Sequence, residues 1–393
     1  MELTYGSTTK RVKIISFLAG MGFFAKQFYV TKNGTLQIGD VLLVLSSLLT
    51  VFSYGLKIKK TDLPFLSFIF FTIVINSIYA LVYSEQRYLL SVLFMVDSCI
   101  LVVCLYRYML KNTYFLTCIS ISFKLALVSQ IIIFIIGRGA WFGGIRYMGT
   151  FNDPNQYGFY ILSALFIIYI ISEIKEEKLP ILWIVLASIE IAFSASSGMI
   201  IALLVFYLSL ITRDIYRNGK SVKSIILIFI CITIILSIIL FGNGILDMLG
   251  NSSIGGIRRL ILRYRMGSSN EGVSNEFFYN RGLRRAIELP YYFLYGSGEG
   301  GWDRFEIISE KGEMHSTVIA LAFYYGIVPY CILLYWIKRQ VSYMRPSLFF
   351  VYIALLIEAF TLINHRQPMF WLIIILASHI NSKRKTRRNN ARI

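Results

Sequence analysis

Between residues 63 and 136 the chain runs through three apolar stretches, 63–83, 88–109 and 114–136, broken only by short polar turns. Each is long enough as a helix to cross a bilayer, where only a helix or a closed barrel satisfies every backbone group. Similar runs recur near 13–30, 36–56, 156–172, 180–195, 197–212, 222–241, 315–337, 347–364 and 367–381. The pattern predicts an all-α polytopic membrane protein with about 12 transmembrane helices (10–13). Residues 1–393 read as one integral membrane domain. No internal repeat and no soluble module interrupts it.

Composition agrees. Hydrophobic residues make up 56% of the chain and charged residues 15%, more apolar surface than a soluble fold of this length hides. The net charge of +18 does not point to nucleic acid, because the basic residues fall in short connections and in the tail 382–393. That distribution sets membrane orientation, with anionic lipid as the natural partner. Connections holding Lys57, Lys59 and Lys60, or Arg213, Arg217, Lys220 and Lys223, or Lys338, Arg339 and Arg345, alternate with connections nearly free of them. With the basic N-terminal segment and tail, they place both termini in the cytoplasm. Arg138, Arg146 and the polar loop 137–155 then lie outside, as does one large loop before the tenth span, 242–314. The first apolar run follows Lys10, Arg11 and Lys13 like a signal peptide, but without a small-residue cleavage site it reads as an uncleaved helix.

Cys99, Cys104, Cys118, Cys231 and Cys331 are odd in number, form no CxxC pair and fall in apolar runs. They read as small buried hydrophobes, neither disulfides nor metal ligands. Asp97, Lys124, Glu190 and Glu358 lie within spans, where charge needs a partner. Asp97 and Lys124 are expected to link spans four and five, with a proton relay as the alternative. "SASSG" (194–198) separates two short runs as a tight helical hairpin or one broken element.

The polar chemistry gathers in the external loops. "RYMGTFNDPNQYG" (146–158) combines Arg146 with the turn formers Asn152, Asp153, Pro154 and Asn155. Pro154 suits the first turn of a helix and Asp153 or Asn152 its cap. The large loop carries Arg258, Arg259, Arg263, Arg265, Arg281, Arg284 and Arg285, against the positive-inside trend. Either these arginines cover lipid head groups or they grip an anionic substrate. "IGGIRRLILRYR" and "NRGLRRAIELPYYFLY" read as short amphipathic helices on the membrane face. Arginine suits phosphate and diphosphate, since its planar fork donates paired hydrogen bonds and stays charged. His315, at the outer mouth of span ten, is the histidine best placed to accept a proton near neutral pH. His365 sits in a short loop beside Arg366. "GSGEGG" (296–301) reads as tight turns beside the active face. There is no Walker motif, no GxGxxG before a helix, no HExxH and no DxD, so no nucleotide cofactor or carboxylate-bound metal is expected.

"RYMGTFNDPNQYG" resembles the R-x-x-G-x-F-x-D/N-P-N signature of the O-antigen polymerase and ligase superfamily (Wzy and WaaL). The later order is similar: an Arg near "NRGLRRAI", a GxG at Gly296–Gly298, then His315 ahead of a helix containing Gly326. "NHRQPMFW" looks like the polymerase-type close of that fold. One departure is that many relatives carry S-x-S-R-G where this chain has "SASSG", with Ser197 in place of the arginine. The likeness covers roughly 138 to 340 in motif order and extends to the first five spans only in hydropathy.

The resemblance implies a polymerase-like glycosyltransferase of the bacterial cytoplasmic membrane with its active face outside. It would join undecaprenyl-diphosphate-linked repeat units into O-antigen, capsule or exopolysaccharide, without metal or cofactor. His315 would be the base, and Arg146, Arg281 and Arg285 would bind the diphosphate. Asn152, Asp153, Asn155, Gly296 and Gly298 would shape the substrate site. Partners would be the lipid-linked donor and acceptor, with flippase and chain-length regulator proteins beside them. The alternatives are a ligase of the same superfamily and, from another class, a lipid-linked oligosaccharide flippase. A transporter should instead show repeat symmetry and midplane charge.

Overall fold

A computed structural model describes residues 9–30, 37–56, 58–143, 146–218, 281–308, 313–342 and 344–376. The expected ninth span, the first part of the large loop with "IGGIRRLILRYR", and the basic tail lie outside the described residues.

The described chain is overwhelmingly helical. In order come α1 (Lys10–Ala25), α2 (Ile38–Tyr54), α3 (Leu63–Tyr83), α4 (Arg87–Met109) and α5 (Thr113–Ile135). A small antiparallel hairpin follows, β1 (Ala140–Phe142) and β2 (Arg146–Gly149), with Trp141 opposite Tyr147. Then come α6 (Pro154–Lys175), α7 (Ile181–Ser194) and α8 (Ser197–Asn218). After the undescribed stretch the chain forms two short helices, α9 (Arg284–Glu288) and α10 (Tyr292–Tyr295), and a 3-10 segment, Trp302–Ile308. It closes with α11 (Thr317–Tyr325), α12 (Ile327–Val341), α13 (Pro346–Thr361) and a last helix, α14 (368–376).

Among the described residues, five helices are long and apolar enough to cross a membrane: α4, α5, α6, α8, and α3 with its leading 3-10 turn. Their outer faces carry the exposed Phe70, Leu81, Ile132 and Ile201, a surface that only hydrocarbon accommodates at such density. α6 differs, because its whole apolar window is buried. A helix apolar all round belongs inside a bundle, and α6 is enclosed by its neighbours. Its neighbours are α5, α7, α8 and α13. A second group forms where α12 packs on α3 and α3 on α4. Phe65, Trp336 and Trp371 cluster there, Phe65 stacking on Trp336 at 4.4 Å between centroids.

Three differences from the sequence reading have physical causes. The run 315–337 is two helices, because Gly326 adopts φ +79° and a Cβ there would lie 2.8 Å from the Leu294 carbonyl oxygen. Asp97 and Lys124 do not pair. Asp97 lies in the field of Asp40 and Lys26, which bond each other at 2.7 Å, while Lys124 packs over the Trp183 ring. The cysteines are free among the described residues, as expected, but none is fully enclosed and Cys331 is exposed. They cover apolar faces rather than fill the core.

Candidate functional site

At one end of the bundle the polar loop 146–156 is fixed before any ligand enters. Asp153 caps α6, its Oδ1 accepting from Asn155 N at 2.7 Å and Gln156 N at 3.2 Å, with Pro154 next in the helix. The cap satisfies amide donors that a helix start otherwise leaves open. Arg146 is half-buried at the head of β2. Its Nε donates to the Ser194 carbonyl oxygen at 3.0 Å and its Nη2 to Asn155 Oδ1 at 2.6 Å. Ser196 Oγ donates to the same Asn155 oxygen at 3.0 Å. The loop is thereby tied to the "SASSG" junction, where Ala195 takes φ +50° between α7 and α8. On its other side Thr150 Oγ1 donates to the Gln27 carbonyl oxygen at 2.6 Å. Asn152 is the exposed member.

The junction leads to the second half of the site. Gly198 abuts Thr361 at the end of α13, where a Cβ would come within 2.5 Å of Thr361 Oγ1. Arg281 Nη1 donates to the Thr361 carbonyl oxygen at 2.6 Å, and the Arg281 carbonyl oxygen accepts from His315 N at 2.7 Å. Thr317 N and Oγ1 both donate to the Leu362 carbonyl oxygen, each at 2.8 Å. His315 is open to solvent on one side. Surrounding protein desolvates its imidazole and lowers the pKa. The charges of Arg281 and Arg285 push the same way, and those of Glu313 and Asp153 oppose them. The neutral imidazole of such a histidine predominates at neutral pH.

The structure thus gathers Arg281, Asp153 and His315 in one region, with Asn155 one hydrogen-bonded step from Asp153 and Arg146 one step beyond it. Arg285 is placed differently. It is fully enclosed with its guanidinium 5.2 Å from the centre of the Phe305 ring, so its charge acts through protein rather than from an open wall. Its neighbour Arg284 is exposed and pairs with Glu288. Gly296 and Gly298 are enclosed too. Gly296 takes φ +86° where a Cβ would meet the Tyr324 carbonyl oxygen at 2.6 Å, and Gly298 N donates to that oxygen at 2.9 Å. These glycines shape the site by steering the chain, not by lining it.

What they steer is a group that the sequence reading missed. Glu299, enclosed beside Gly298, accepts from Tyr325 Oη at 2.5 Å and Arg366 Nε at 2.7 Å. His365 Nε2 lies 3.0 Å from Glu299 Oε1, and Asn76 Oδ1 accepts from Glu299 N at 2.8 Å. Burial alone would raise the Glu299 pKa, but the charges of Arg366 and His365, with the hydrogen bonds from His365 and Tyr325, hold it far below the usual carboxylate range. Arg366 also bonds Glu313 at 2.9 Å, which connects this node to the segment of His315. The signal in the sequence was a polar tetrad, "NHRQ", directly between two apolar runs.

Set against protein-family models and curated proteins, the chain matches none.

Proposed function

We propose that the protein is a polysaccharide polymerase that joins lipid-diphosphate-linked glycan units on the outer face of a bacterial cytoplasmic membrane. In this reading about 12 spans cross the bilayer, both termini are cytoplasmic, and the end carrying Arg146 and His315 faces outward. The observation that carries it is that Arg281 and Asp153, from segments far apart in sequence, meet His315 and its near neighbour Glu313.

Each group has a task. The acceptor is a sugar hydroxyl on one lipid-linked unit, and the donor is the anomeric carbon of another. His315 takes the hydroxyl proton as the oxygen attacks, which its lowered pKa permits at neutral pH. A new C–O glycosidic bond forms, the bond from the anomeric carbon to the phosphate oxygen breaks, and polyprenyl diphosphate leaves with that electron pair. Arg281 and Arg146 stabilise the charge growing on the leaving diphosphate. Glu313 and Asp153 favour the imidazolium that forms at His315. Asn152, exposed on the 146–156 loop, and Asn155 orient sugar hydroxyls, while Asp153 also holds that loop as the cap of α6.

Deletion of the gene in its source bacterium, followed by sizing of the surface polysaccharide, tests the reading. A polymerase leaves single repeat units in place of long chains. Full-length chains stranded on the lipid carrier would instead mark a ligase, and units retained on the cytoplasmic leaflet a flippase.

A further inference from the structure

Arg366 stands between two acids of unequal standing. Its Nε donates to Glu299 Oε1 at 2.7 Å and its Nη2 lies 2.5 Å from the same oxygen. On the other side its Nη1 reaches Glu313 Oε1 and Oε2 at 2.9 and 3.2 Å. The Phe94 ring closes one further wall, its centre 6.0 Å from the guanidinium carbon. The Glu299 side chain is 1% exposed and is held in addition by Tyr325, His365 and, through its backbone, Asn76. The Glu313 side chain is 27% exposed and lies in irregular backbone ahead of α11. Among the described residues its carboxylate is ion-paired with Arg366 alone.

The two halves of this bridge differ in what it takes to open them. Removing Glu299 would leave an enclosed guanidinium without its anchor, which is costly. Turning Glu313 out to water exchanges one partly solvated ion pair for hydration, which costs little. A guanidinium that is anchored on one side and capped by a replaceable carboxylate on the other is built to accept a different oxyanion. The fork that fits a carboxylate also fits a phosphate. The cap lies where such an exchange matters: Glu313 is two residues before His315, and its carbonyl oxygen packs against Gly282, next to Arg281.

We propose that Arg366 is an anion subsite for the diphosphate of the lipid-linked substrate, latched in the free protein by Glu313 and opened when the diphosphate displaces that carboxylate. The identity of the lipid rests on the polymerase reading; the exchange of one oxyanion for another rests on the geometry of Arg366. The subsite supplies the cation that the enclosed Arg285 cannot offer directly. Glu299, with His365 and Tyr325 behind it, keeps the guanidinium aimed while the latch changes hands.

Titration calorimetry on the full-length protein in detergent micelles tests this, with geranylgeranyl diphosphate and inorganic pyrophosphate as probes. Glu313→Gln is expected to bind geranylgeranyl diphosphate about tenfold more tightly than the native protein, since no resident charge competes. Arg366→Lys keeps the charge beside Glu299 but loses the fork, and is expected to bind about tenfold more weakly. Pyrophosphate should follow the same order at lower affinity. Unchanged or weaker binding by Glu313→Gln overturns the latch, even in protein that polymerises repeat units. Pyrophosphate binding as tightly as the lipid form overturns the lipid-linked assignment, and failure of both probes to bind overturns the subsite. Tightening by Glu313→Gln, together with native protein that never polymerises repeat units, would uphold the latch and remove the polymerase reading.

Discussion

Glu299 shows how much one enclosed side chain can organise. It fastens the glycine-rich turn to α3 through Asn76, to α11 through Tyr325, and to the segment before α14 through His365 and Arg366. Breaking a buried pair from one side leaves an uncompensated charge, so Glu299→Gln should destabilise the fold by about 3–5 kcal/mol. Thermal unfolding in detergent at pH 7 measures this. The sign with pH follows from the depressed pKa. The stability that Glu299 contributes is present above the unfolded value of 4.5 and is lost as pH falls below it toward the folded value. Unfolding scans from pH 7 down to about pH 3 should therefore show the native protein losing more stability than Glu299→Gln. At this scale the sequence spoke unevenly. His315 stood out because a span begins beside it, and Asp153 because a proline follows it. Glu299 did not, because only the return of "NHRQ" into the bundle gives a glutamate in a glycine-rich loop its partners.

At the scale of elements, hydropathy located the helices well. The run at 63–83 is α3 to the residue, and 180–195 and 197–212 are α7 and α8 on either side of "SASSG". Hydropathy does not register a break that costs no apolar residue. Gly326 interrupts a continuous run, and the two helices it separates serve different ends: α11 presents Tyr324 and Tyr325 to the glycine turn, while α12 packs on α3. A side chain at Gly326 would carry the strain of a positive φ and press on the Leu294 carbonyl oxygen. Gly326→Ala should destabilise by about 2 kcal/mol or more, read as a lower unfolding temperature in detergent. "NRGLRRAIELPYYFLY" was expected as an amphipathic helix on the surface. It forms instead the two short helices α9 and α10, with Leu283 and Arg285 turned inward and Arg284, Leu294 and Tyr295 outward. Pro290 ends the periodicity between them, and the inward face is a matter of tertiary packing.

At the scale of the whole molecule, the charge pattern predicts which end faces out. A cysteine placed at Phe142, exposed at the end of β1, should react with a membrane-impermeant maleimide on intact cells. One placed at Lys178, between α6 and α7, should react only after permeabilisation. A cysteine-free background removes the contribution of exposed Cys331. The reverse labelling pattern would turn the proposed site toward the cytoplasm and exclude an external glycan substrate.

In the proposed reaction His315 draws the proton from the acceptor hydroxyl while nearby arginines hold the leaving diphosphate. Purified protein, reconstituted in vesicles with lipid-linked repeat units, tests it by the length of polymer made. The native protein should build a ladder of long chains. His315→Ala should slow each addition by about 10²–10⁴-fold, the usual worth of a positioned base, while unfolding at the native temperature. Long polymer made by His315→Ala at the native rate would contradict the account.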